Sequence, residues 1–187
     1  MTTYTALSDT TLSQGKPVTQ SVSRAWRDNP LAIGEGDGTA PRISVKAINS
    51  PYFRATRTTN QSITGTAATK VQLNTEVYDP DSLYDNATNY RFTPNVAGLY
   101  LVGLQVSSSD VGSGAGTMFA IVRKNGSNVS QQTDYQSAIN QPMNPSVTTI
   151  VQMNGTTDYL EGFCSQNVSS GTYNVQGEMY AVCICEA

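Results

Sequence analysis

The segment Tyr84–Val102 reads YDNATNYRFTPNVAGLYLV, and its second half decides the fold. After the turn signal TPNVAG, the large apolar residues Tyr100, Val102, Leu104 and Val106 recur at every second position. A period of two places successive side chains on alternate faces and marks a β-strand, not a helix. The same period extends outward in both directions. Val71, Leu73 and Val77 carry it on one side, and Val147, Thr149, Val151 and Met153 on the other. Strands are predicted near 51–59, 68–78, 88–92, 98–108, 116–124, 127–135, 145–154, 157–165 and 173–185. YDPDSLYDN, VGSGAG, KNGSN and MNGTTD supply the turn signals between them. Many short antiparallel strands at this spacing predict an all-β sandwich or jelly roll.

Composition agrees. Of the 187 residues, 38% are apolar and 13% charged, with Thr, Ser, Asn and Gly abundant, as in a turn-rich β domain. No apolar run is long enough to span a membrane. The opening MTTYTALSDTTLSQGKPVTQ lacks the basic start and apolar centre of a secretory signal, so synthesis in a cytoplasm is expected. The three cysteines, Cys164, Cys183 and Cys185, are odd in number and read as small buried thiols, not a disulfide framework. Six Asn-x-Ser/Thr sequons arise from composition alone and carry no information without a secretory route.

The first fifty residues do not share the period of two. In GKPVTQSVSRAWRDNPLAIGEG (15–36), Val18, Val22, Ala25 and Trp26 form one helical stripe, and Thr19 is a plausible cap. A short helix is predicted near 18–28, ended by the sequence DNP, because the residue before proline avoids the α region. About ten residues are too few for a stable isolated helix. The chain therefore divides into an N-terminal docking arm, 1–48, and a β head, 49–187, joined through the flexible GEGDGTAP (34–41). Residues 1–60 carry seven basic and four acidic side chains, whereas residues 61–187 carry four basic and ten acidic, so arm and head are expected to meet different surfaces. A net +3 over sixty residues is too weak for nucleic-acid binding. Docking is assigned to Val18, Val22 and Trp26, with Arg24 and Arg27 at the rim.

The run MYAVCIC (179–185) is apolar on both faces, and MFAIV (118–122) is similar. One face belongs to the sandwich core. The other needs cover, from a second copy of the chain or from the arm folded back. Met179, Tyr180, Val182 and Ile184 are the expected contacts between copies.

Several weak motifs in a fixed order resemble the tumour necrosis factor and complement globular-head superfamily. They are Asp85, Phe92, Pro94, Gly98 and Tyr100; the hairpin Lys124, Asn125 and Gly126; the strand–turn–strand VQMNGTTDYLEGF; and a closing strand with Tyr173 and Val175 before Gly177. The resemblance covers about 51–187 and implies a trimeric jelly roll with its first and last strands near the threefold axis. The arm, YTALSDTTLSQGKPVTQSVSRAWRDNPLAI, is similar to the opening of phage and prophage structural proteins, and that implies a place on the virion surface.

Catalysis finds no support. The chain has no histidine, so no Ser-His or Cys-His pair is available, and no phosphate-loop signature occurs. No cofactor is expected. Asp79, Asp81 and Asp85 in YDPDSLYDN are weak candidates for Ca²⁺, but their spacing departs from calcium-loop signatures. Tyr52, Tyr84, Tyr135 and Tyr173 are candidates for stacking on a host glycan. The sequence thus favours a homotrimeric capsid decoration protein whose arms dock on other virion proteins, the major capsid protein first among them. The alternative is a short tail fibre or receptor-binding tip, anchored by tail proteins, although fibres commonly add a shaft.

Overall fold

The computed structural model describes residues 3–13, 15–35, 39–40, 50–64, 66–110, 116–136, 142–167 and 172–186. The chain divides into two compact units, Met1–Asn49 and Ser50–Ala187. The residues on either side of the expected 48/49 boundary lie outside the described residues, as do 36–38 and 41 of the expected linker, whose first two residues, Gly34 and Glu35, belong instead to a helix.

The first unit holds two helices, α1 (Asp9–Leu12) and α2 (Gln20–Glu35). Thr19 caps α2 as expected: its hydroxyl accepts from the Val22 N–H at 3.4 Å, and its carbonyl from the Ser23 N–H at 3.0 Å. The expected stop at DNP is corrected, because α2 runs on through Pro30. An interior proline removes one helical hydrogen bond and costs roughly 3 kcal/mol. The turn beyond it is retained by burial: Ala32 is completely buried, on the same stripe as Val22 and Ala25. One residue before the proline, the Asn29 side chain exchanges two 2.9 Å hydrogen bonds with the backbone of Thr5, tying the N-terminal segment to the helix.

The second unit is an antiparallel two-sheet sandwich. Its strands are β1 (Tyr52–Thr64), β2 (Thr69–Lys70), β3 (Thr75–Tyr78), β4 (Tyr84–Asp85), β5 (Arg91–Phe92), β6 (Ala97–Asp110), β7 (Gly116–Lys124), β8 (Ser127–Gln136), β9 (Ser146–Asn154), β10 (Leu160–Gln166) and β11 (Thr172–Glu186). One sheet has the order β3-β1-β11-β6-β9, and the other β4-β5-β10-β7-β8, with β2 also on β10. The strand expected at 68–78 is broken because the chain changes sheets there: β2 pairs with β10 and β3 with β1. Val71 and Leu73, in the crossing, are buried. The Gln61 amide braces it, donating to the Lys70 carbonyl at 2.9 Å and accepting from the Gln72 N–H at 2.8 Å. The strand expected at 88–92 is cut back to β5, because residues 88–90 belong to the loop capped by Asp85 that joins β4 to β5.

Most of the period-two residues fill the space between the sheets, but Val77 is corrected to an exposed position on β3, at 49% exposure. Tyr100, Val102, Leu104 and Val106 are all essentially buried, with Met118, Ala120 and Val122 of β7 and Val175, Met179 and Ala181 of β11. Phe53 stacks on Tyr84 and Phe92 at 4.8 and 4.5 Å between ring centres, and Phe92 meets Tyr100 edge-on at 5.9 Å. The β7–β8 hairpin turns on Asn125 and Gly126 with φ of 51° and 80°, the left-handed pair that a tight hairpin requires.

Candidate interaction surfaces

The outer face of the β3-β1-β11-β6-β9 sheet is divided. Pairing aligns Tyr52, Val182, Leu101 and Ile150 as one cross-strand row over four strands. Ile184 and Leu99 extend it at one end, and Ile150 and Ile184 are 56% and 50% exposed. The next row is Arg54, Tyr180, Gly103 and Thr148. Gly103 has no side chain, and the Tyr180 ring occupies the space: a Cβ there would lie 2.2 Å from Tyr180 Cζ. Beyond this row the face becomes polar. Arg54 Nη2 meets Glu178 Oε2 at 2.6 Å, and a shallow groove of about 320 Å³ is lined by Arg54, Arg57, Gln105, Gln176 and Glu178. The groove lies beside the register shift between Arg57 and Gln61.

Of the contacts expected between copies, Tyr180, Val182 and Ile184 share this outer face. Met179 does not. It is 1% exposed and belongs to the protomer's own core, as strand alternation requires of a neighbour of Tyr180. The second two-faced run, 118–122, is covered in part within the protomer, with Phe119 on its outer side half-buried. Ile121 on its outer side is already 4% exposed, flanked across the sheet by Phe163 and Gln131. Leu99, Leu101 and Ile150 were absent from the sequence reading. They come from β6 and β9, and only strand pairing brings them beside β11.

The expected docking stripe is also divided, and Val18 lies ahead of α2, which begins at Gln20 and not at 18. Val22 is 2% exposed and is covered within the chain, whereas Val18 and Trp26 stand 60% and 57% exposed. Leu31, on the far side of the helix, is exposed too. Arg24 is exposed, and Arg27 is held by Asp28 through bonds of 2.6 and 3.1 Å. Such an exposed pair adds little stability.

The three loop carboxylates act separately. Asp85 Oδ1 accepts from the N–H groups of Ala87 and Thr88, and Oδ2 from the backbone and side chain of Asn89, at 2.7–3.0 Å. These donors, led by the Thr88 N–H, hold its pKa down at about 2. Asp79 Oδ2 accepts from the Tyr84 N–H at 2.7 Å, and Asp81 is exposed. No group of three His, Cys, Asp or Glu side chains suited to a metal occurs among the described residues. Of the candidate sugar-stacking tyrosines, Tyr84 and Tyr173 are corrected to core residues, Tyr52 packs against Tyr78 with ring centres 5.6 Å apart, and Tyr135 is 64% exposed. Burial pushes the Cys164 thiol up to about 12, which removes its nucleophilic form at neutral pH.

No protein-family model and no curated protein matches the chain in sequence. Solved structures do match its fold. The globular domain of zebrafish complement 1qA protein superposes with a TM-score of 0.54 at 15% identity, over 74% of this chain and 99% of that one. PRD1 vertex protein P5 superposes with a TM-score of 0.52 at 16% identity, over 73% and 96%. The second unit therefore has a jelly-roll fold like that of the complement globular domain. No helix among the described residues is long and apolar enough to cross a membrane.

Proposed function

We propose that the chain is a non-enzymatic structural protein of a phage particle, a homotrimeric capsid decoration protein that docks through its N-terminal unit. The row Tyr52–Val182–Leu101–Ile150 carries this reading. Fully burying a Val, Leu or Ile side chain is worth about 1.5–3 kcal/mol, and the row with Ile184 and Leu99 leaves much of that unrealised in a lone protomer. A second and third copy cover such a face most simply, since the fold is one in which sheets of this kind pack around an axis. The likeness in fold to a protein described as a vertex protein supports a place on a shell. Trp26 and Val18 then supply an exposed apolar contact for a coat subunit, with Arg24 and Arg27 at its rim. A second reading, a short tail fibre or receptor-binding tip meeting a host glycan, is favoured by the exposed Tyr135 at the end of the edge strand β8.

The deciding experiment is a reconstruction of purified particles. Density for the head on local threefold positions of the shell, in multiples of three copies, is the expected result. Density only at the tail tip would replace decoration by the fibre reading, and a monomeric head on the shell would remove the trimer.

A further inference from the structure

The segment 61–187 is acidic, yet its four basic side chains, Lys70, Arg91, Arg123 and Lys124, all lie on strands of the second sheet. Three of them converge on one strand. Tyr159, just before β10, and Glu161 and Phe163 within it alternate along its outer face, about 13 Å from end to end at 3.3 Å per residue. Arg91, from β5, lies over the Tyr159 ring at 4.6 Å. Arg123, from β7, lies over the Phe163 ring at 4.1 Å, with Lys70 at 5.9 Å from the same ring. Glu161 between the rings is neutralised by Lys70 Nζ at 2.5 Å. Lys124 stands apart, paired with Asp158 at 2.8 Å.

Two cations are left over. Arg123 donates only its Nε–H, to Asn128 Oδ1 at 2.8 Å, and Arg91 has no hydrogen-bond or ion-pair partner among the described residues. Across from Arg91, Asp85 gives its oxygens to its own loop. A guanidinium held over a ring has lost part of its freedom already, and its free N–H groups can pair with a carboxylate in two-point fashion. Two such groups, spaced along a half-buried aromatic strip, suit an extended ligand with sparse carboxylates and apolar C–H faces. A dense polyanion such as nucleic acid, with a charge every ~1.7 Å of duplex, would meet the acidic remainder of the head.

We propose that the outer face of β10 binds an acidic polysaccharide, with Arg91 and Arg123 each taking a carboxylate and the edges of Tyr159 and Phe163 meeting the sugar rings. This inference goes beyond the proposed function and holds for decoration and fibre alike.

Binding of the full chain is measured by calorimetry against hyaluronan and xanthan, with neutral dextran and polyglutamate as controls. Wild type is expected to bind at least one acidic polysaccharide in preference to both controls. Arg91→Gln with Arg123→Gln should weaken that binding by about tenfold or more, because two charge-assisted contacts are lost. Lys124→Gln, which removes one charge off the strip, should leave it nearly unchanged. Circular dichroism establishes that each variant is folded. The proposal is overturned if neither acidic polysaccharide binds at millimolar repeat units, if polyglutamate binds as well, or if Lys124→Gln weakens binding as much as the double variant.

Discussion

Tyr180 lies across Gly103, its cross-strand partner, so that the ring fills the place of a missing side chain on the outer face of the sheet. A Cβ at Gly103 would collide with the far end of that ring, at Cζ, Cε1 and the hydroxyl. Gly103→Val is therefore expected to push Tyr180 off the sheet and to roughen the face proposed to join copies. Sedimentation velocity should show a smaller species, while circular dichroism retains the β signature. An unchanged trimer would show that this face is not buried between copies.

The row beside it makes a stronger test. Val182 is half-buried in the protomer and central in the proposed interface. Val182→Asp places an unpaired charge there, and burying such a group costs several kcal/mol. Light scattering at micromolar concentration is expected to report monomers, and Ile184→Asp should act in the same direction. A variant that remains trimeric would move the interface elsewhere.

On the N-terminal unit, Trp26→Ala with Val18→Ala removes exposed apolar contacts without touching the buried Val22. Interface tryptophans often contribute ~2 kcal/mol or more each, and three arms on one trimer compound the loss. The double variant should remain a folded trimer and fail to associate with particles lacking the protein. Full occupancy on such particles would remove the docking role from this helix.

Asp85 sets a pH dependence. Its folded pKa, about 2, is below the ordinary carboxylate value near 4. Its contribution to stability is thus complete above about pH 4 and is lost as pH falls towards 2. Asp85→Asn should lower the urea midpoint at pH 7, and the gap from wild type should narrow by about pH 2.5. A gap independent of pH would mean that the loop N–H groups do not favour the ionised form. Calcium at millimolar concentration should leave the melting temperature unchanged, since the Asp85 oxygens are already occupied by four N–H donations.

Phe92 is the centre of the aromatic stack formed with Phe53 and Tyr100. Phe92→Ala is expected to cost about 3–5 kcal/mol, because a large ring leaves a cavity that rigid neighbours cannot close. Chemical denaturation measures it. A loss under 1 kcal/mol, the scale of a surface change, would show that the corner around β5 repacks freely.

The sequence by itself determined the class of the head. Its period of two and its turn residues come from local chemistry, and they survive in the structure as strands and hairpins. Position along a strand also settled which of Tyr100 and Leu101 enters the core, because alternation is a property of the backbone. Tertiary structure decided what lies beside what. No local pattern relates Leu101 to Ile150 or Tyr52 to Val182, since these neighbours are set by strand order across about 50 to 130 residues of chain. The same holds for Arg91, Arg123 and Lys70 around β10, which are scattered singly in the sequence and gathered only by pairing. Pro30 failed as a stop signal for the converse reason: burial of Ala32 outweighed a local preference. Surfaces depend on which distant segments meet, and that is fixed by packing energy summed over the whole sandwich, not by the residues on either side of a given position.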